Sequence, residues 1–116
     1  EAITYLIHDV FMAMQSDSGQ PFTQLMADGG ATCNSFLMQF QADILGIPVV
    51  RSRASDLSAM GAAYLAGLAI GVWESLDEVS TLSRPHDRFE PKMAAGLRDS
   101  LLNGWNDAVR RALSRQ

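Results

Sequence analysis

The chain has 116 residues, a net charge of −4, 47% hydrophobic residues and 19% charged ones, which suits one modest globular domain and excludes a disordered polymer. The acidic balance gives no support to nucleic acid or an anionic membrane surface as partner, and no apolar run reaches the roughly 18 residues of a membrane span. Cys33 is the single cysteine, so no internal disulfide can form, and a reducing, cytoplasmic setting is expected.

Glu1-Ala2-Ile3 carries no initiator Met and falls at once into helical periodicity, as a piece of a longer chain would. Ile3, Leu6, Val10 and Met14 recur at i, i+3, i+7 and i+11 and predict an amphipathic helix, ended by the turn cluster of residues 16–21. Residues 22–27 are short and bounded by turn residues, and predict a strand. Leu37, Phe40 and Ile44 form the stripe of a second helix, with Gly46 as its C-cap and Pro48 just beyond. Residues 48–51 predict a second strand and residues 52–55 a polar loop. The next helix sets Leu57, Met60, Tyr64 and Leu68 on one face and Gly61, Ala62, Ala63, Ala66, Gly67 and Ala69 on the others. Each interior glycine costs about 1 kcal/mol of helix propensity relative to Ala, so a packing or ligand reason is expected. Residues 76–82 hold one more helical turn. Pro91 suits position N1 of a last helix, whose stripe is Leu97, Leu101, Trp105 and Val109. Arg110, Arg111 and Arg115 complement its C-terminal dipole. Helices thus alternate with two strands, an α/β pattern that is rich in helix and poor in strand.

The most informative stretch is Asp28-Gly29-Gly30-Ala31-Thr32-Cys33-Asn34, where a strand gives way to a helix. Glycine lets backbone approach a ligand closely, and the following helix offers unpaired N–H groups. Asn34, four residues after Gly30, is expected to project from the first turn over the same mouth. Read alone, the pair is also what any tight strand-to-helix turn uses. Continued to Gly46, the stretch reads D-G-G-A-x-x-N-x-F-L-M-Q-F-Q-x-D-I-L-G. A second block, Ala59-Met60-Gly61-Ala62-Ala63-Tyr64-Leu65-Ala66-Gly67-Leu68-Ala69-Ile70-Gly71, follows at a matching interval. Together they resemble the FGGY carbohydrate kinases, the first block their adenosine motif, and within that family the members that act on glycerol. The likeness fades after Leu82.

The resemblance implies an actin-like ATPase fold with ribonuclease-H-like domains on either side of a cleft. Residues 1–116 would be the C-terminal part of the second, nucleotide-binding domain, with the remaining strands and the first domain upstream. It implies phosphoryl transfer from ATP, with Mg2+, to glycerol, by a homo-oligomeric enzyme. Gly30 would present backbone to the nucleotide and Asn34 would hydrogen-bond near the adenine, with Gly29 and Ala31 completing a small turn. The catalytic base, the polyol-binding residues and the phosphate loops lie upstream in the family, so no catalytic residue and no metal ligand is expected in this chain, which alone would be inactive. The alternatives are another polyol or pentose kinase, such as a xylulokinase, and a non-catalytic nucleotide-binding or interaction module of the same descent.

Other candidates have plainer readings. Asp28 is expected to accept backbone N–H bonds in its loop. His8 and His86, the latter in a polar loop, have no partner at metal-ligand spacing. Cys33 is expected to be a small buried filler and the six methionines core fillers. Arg51-Ser52-Arg53 reads as a solvated loop, with attraction of a phosphate as the alternative. Ser35 replaces a second Asn common in the family, and Asp56-Leu57-Ser58 replaces Glu-x-Thr; both keep polarity. With two strands and missing neighbours, the chain is expected to expose apolar surface.

Overall fold

The computed structural model describes residues 1–53, 56–82 and 84–114. Five helices and three strands follow in the order α1 (Ala2–Ser18), β1 (Leu25–Ala27), a 3₁₀ turn (Gly30–Cys33), α2 (Ser35–Leu45), β2 (Val49–Ser52), α3 (Leu57–Ala69), α4 (Leu76–Thr81), β3 (His86–Phe89) and α5 (Ala95–Leu113). The strands form one sheet in the order β1-β2-β3. β1 and β2 are parallel, with Ala27 opposite Arg51. Parallel neighbours need a crossover, and α2 supplies it. β3 joins the other side of β2 antiparallel, with Val49 opposite Phe89 and Arg51 opposite Asp87. This third strand replaces the polar loop expected around His86. Its sequence, His-Asp-Arg-Phe, has too few apolar residues to signal a strand, and the backbone of β2 makes it one.

α2 is the hub. Phe40 and Ile44 pack with Tyr5 of α1 and with Leu101, Leu102 and Trp105 of α5. Tyr5 stacks on Trp105 at 5.4 Å between ring centroids and meets Phe40 edge-on at 5.9 Å. Met38 and Ala42 turn the other way and pack with Val49, Leu25, Ala27 and Phe89 of the sheet. The helix ends as expected at Gly46, whose φ of 70° is the left-handed C-cap conformation.

α1 departs from expectation. Its stripe faces solvent, with Ile3, Leu6, Val10 and Met14 exposed by 59, 56, 60 and 56%, while Thr4, Tyr5 and Phe11 are buried. Phe11 meets Phe22 edge-on at 5.2 Å. The helix is apolar on two sides, and the aromatic side took the core. The methionines divide likewise: Met38 is buried, whereas Met12, Met14 and Met26 are exposed.

Pro91 does not open the last helix, which begins at Ala95. Asp43 Oδ1 accepts the backbone N–H groups of Lys92 and Met93 at 2.6 and 3.1 Å, which holds that stretch as a turn. Leu97 is exposed, while Leu101, Trp105 and Val109 face inward as expected. Trp105 Nε1 donates to Asp9 Oδ2 at 2.8 Å, fixing α5 on α1. Arg110 and Arg111 occupy the last turn of α5; Arg115 lies outside the described residues.

The radius of gyration is 18.1 Å, against about 13 Å for a compact domain near this size. α3 and α4 make few contacts with the hub, and α3 packs instead on Trp73 of the segment that follows it. Gly67 has no room for a Cβ because the Trp73 indole lies against it, which is the packing reason expected for an interior glycine there. Tyr64 meets the same indole edge-on at 5.4 Å. Gly61 has open space around it.

Candidate functional site

The glycine pair sits between β1 and α2 on the rim of a cleft. Gly29 has φ 89° and ψ 174°, a conformation essentially reserved for glycine, so the turn itself requires it. Gly30 has no such need: its φ is not positive, and a Cβ built on it would meet nothing within 4 Å. It opens the 3₁₀ turn that carries Ala31, Thr32 and Cys33. Thr32 locks that turn, since both its backbone N–H and its hydroxyl donate to the Gly29 carbonyl, at 3.0 and 2.7 Å.

The cleft has a volume of about 580 Å³ and is lined by the Gly29-Gly30 turn, Thr32 and Cys33 on one side and by Arg51, Ser52, Arg53 and Asp87 on the other. Its size suits a small-molecule ligand, for which clefts of about 300–1,000 Å³ are usual. Cys33 is exposed and lines this cleft, rather than filling the interior. Ala31 is exposed on the same turn.

Asn34 is not in the first turn of α2 but at its N-cap, where its Oδ1 accepts the Leu37 N–H at 3.0 Å. That bond satisfies one of the orphan donors of the helix start. The side chain is exposed, and its Nδ2 has no hydrogen-bond partner among the described residues. Asn34 thus sits beside the cleft rather than in its lining. Asp28 is exposed, and its carboxylate has no hydrogen-bond partner among the described residues, so the loop-bracing part expected of it is not played. His8 lies 3.4 Å from Asp9 and His86 begins β3. Among the described residues no group of three or more His, Cys, Asp and Glu side chains is placed to hold a metal ion.

Arg51 lies in β2, as the strand expected over residues 48–51 has it, and Ser52, expected in a loop, extends that strand. Arg51 Nε and Nη2 donate to Asp87 Oδ2 at 3.1 and 2.6 Å. Its Nη1 reaches across the sheet end to the Thr32 carbonyl at 2.8 Å and the Ser35 hydroxyl at 3.3 Å. The guanidinium also lies over the Phe89 ring at 5.2 Å. Arg53 donates to the other oxygen of Asp87, through Nε at 2.7 Å and also through Nη2. The hydrogen bonds from Arg53 and Arg51 hold the Asp87 carboxyl down at about 2, below the ordinary 3.8. Sequence reading missed Asp87, because it stands 36 positions from Arg51 on a strand without an apolar pattern. Asp56 caps α3, its Oδ1 accepting the Ala59 N–H at 2.9 Å.

A parallel β-α-β unit with a glycine turn opening on a cleft defines a class of α/β domain in which ligands are held at the carboxyl ends of the strands. Residues 1–70 match the C-terminal domain of the FGGY family of carbohydrate kinases, and the chain belongs to that family. It is 50% identical over 113 residues to a glycerol kinase of Dechloromonas aromatica, covering 97% of this chain and 22% of that protein. The structure is similar to that of Plasmodium falciparum glycerol kinase with ADP, with a TM-score of 0.81 and 35% identity over 94% of this chain and 22% of the other. It is also similar to the xylulose kinase of Rhodospirillum rubrum, with a TM-score of 0.71 and 28% identity over 98% of this chain and 23% of that one. The fold is therefore that of these kinases, the actin-like ATPase fold expected from the sequence. The chain spans about a fifth of the length of these relatives.

Proposed function

We propose that residues 1–116 form the C-terminal part of the nucleotide-binding domain of a glycerol kinase, and that they supply the adenosine side of its ATP site. The observation that carries this reading is Gly30. Neither its dihedrals nor its neighbours require glycine, yet it lines the cleft beside a turn locked by Thr32. A nucleotide approaching that backbone closely is a physical reason for the missing side chain. Gly29 serves the turn and Ala31 keeps it small. Asn34 would donate from Nδ2 to the base while its Oδ1 caps α2.

In the whole enzyme, the γ-phosphoryl group of ATP passes to a terminal hydroxyl of glycerol, giving glycerol 3-phosphate. Such transfer depends on positioning and charge stabilisation. This chain contributes positioning: it fixes the nucleoside end, and Mg2+ would arrive on the phosphates. The base that takes the hydroxyl proton and the polyol-binding residues belong to the rest of the polypeptide. Closure of two domains would exclude water from the transfer. The exposed thiol of Cys33 fits a reducing cytoplasm, and a homo-oligomeric enzyme is part of the same reading. The likeness to a xylulose kinase favours a pentose or another polyol as the second reading of the substrate.

The test uses the full-length protein that carries this sequence. Asn34→Asp keeps the cap acceptor and removes the donor, so ATP affinity by calorimetry should fall about tenfold with α2 intact. Unchanged affinity overturns the role given to Asn34. Turnover assayed with glycerol, xylulose and gluconate should favour glycerol, and preference for another of the three overturns that substrate.

A further inference from the structure

The glycine turn is not held by its own bonds alone. Starting at the sheet, Asp87 on β3 stands directly opposite Arg51 on β2, and two donors of the Arg51 guanidinium meet one Asp87 oxygen. The remaining nitrogen, Nη1, donates to the Thr32 carbonyl. Thr32 in turn donates twice to the Gly29 carbonyl. The same nitrogen lies within reach of the Ser35 hydroxyl, the first residue of α2 and the neighbour of Asn34. One planar fork thus ties the sheet, the 3₁₀ turn and the helix start together. Its side chain is 18% exposed and that of Asp87 21%, so the pair is shielded more than a surface ion pair and holds one geometry.

We propose that Arg51, oriented by Asp87, is a positioning residue for the nucleotide: it sets the height of the Gly30–Asn34 segment against the sheet and so the spot where the adenosine end of ATP rests. Lysine could not do this. A single ammonium reaches either Asp87 or the Thr32 carbonyl, whereas guanidinium reaches both in a fixed plane. Arg53 is different in kind. Its guanidinium is 61% exposed and touches only Asp87 among the contacts described above, so it neutralises the second oxygen and leaves the turn alone.

The functional arm of this inference rests on the ATP-site reading; the structural arm does not. Both are measured on the full-length protein. Amide hydrogen exchange without nucleotide should speed up about tenfold at Thr32 to Leu37 in Arg51→Lys and Asp87→Asn, with α5 amides unchanged as an internal reference. Arg53→Ala should leave the same amides within about twofold of wild type. In steady-state kinetics, Arg51→Lys should raise KM for ATP about tenfold and leave KM for the phosphoryl acceptor within about twofold. Unaltered exchange at Thr32 to Leu37 in Arg51→Lys overturns the clamp. Faster exchange with equal rises in both KM values overturns its bearing on the nucleotide. A wild-type protein that binds no ATP, with exchange responding as stated, would overturn the ATP-site reading and leave the clamp standing.

Discussion

α2 is enclosed on two sides, by α1 and α5 through Phe40 and Ile44 and by the sheet through Met38 and Ala42. α1 turns only Thr4, Tyr5 and Phe11 inward and leaves Ile3, Leu6, Val10 and Met14 outside. Both helices carry apolar residues at helical spacing, and both form. What separates them is the number of neighbours each has in this chain. Periodicity states that a helix has a face to bury; it does not state that the partner lies within the same stretch of polypeptide. The glycine turn stands at the N-terminus of the enclosed helix, where packing on both sides fixes its position, and not on the half-covered one.

The largest effect that sharpens this contrast is in the core. Ile44 is 1% exposed, and Ile44→Ala should cost about 3 kcal/mol in urea unfolding of the chain. Leu6→Ala, an equal truncation on the outer face of α1, should stay within about 0.5 kcal/mol. Comparable losses would mean that the outer face of α1 is covered, by a second copy or by an altered packing, and would break the comparison.

The next effect divides the glycine pair itself. Gly29→Ala must force a side chain into a conformation reserved for glycine and should cost about 2 kcal/mol of stability. Gly30→Ala meets neither strain nor a neighbour and should change stability by less than about 0.5 kcal/mol, while weakening ATP binding in the full-length protein. Loss of stability at Gly30 without loss of binding would return that glycine to a purely structural part.

The smallest effect concerns the ion pair that braces the turn. The Asp87 carboxyl is depressed from 3.8 to about 2 in the folded chain. A depressed acid adds stability above its unfolded value and loses it as pH falls through the folded one. Wild type should therefore exceed Asp87→Asn in stability above pH 4 and converge on it between about pH 4 and 2. A difference that persists below that window would show that Asp87 acts through something other than its charge.

Much of this was legible in the residues. Gly46 as a C-cap, the glycine turn and α2 with its stripe all follow from local rules, because each depends on dihedrals or on neighbours within four positions. The errors share one cause. His86–Phe89 has no strand pattern, Pro91 looks like a helix start and the partner of Arg51 goes unseen until β2, Asp43 and Asp87 are put in place. In each case a group distant along the chain decides the outcome, as Thr32 does for Arg51 at 19 positions and Asp43 for Met93 at 50.

The sequence by itself determined the family, the helical segments and the identity of the glycine turn, since motif order and local backbone chemistry are written along the chain. Only the tertiary structure decided which face of α1 is inside, that Gly30 rather than Gly29 is free of a folding reason, that Asn34 caps α2 from beside the cleft, and that Arg51 braces the turn from across the sheet. Those are contacts between distant residues, and the sheet and α2 must close before any of them exists.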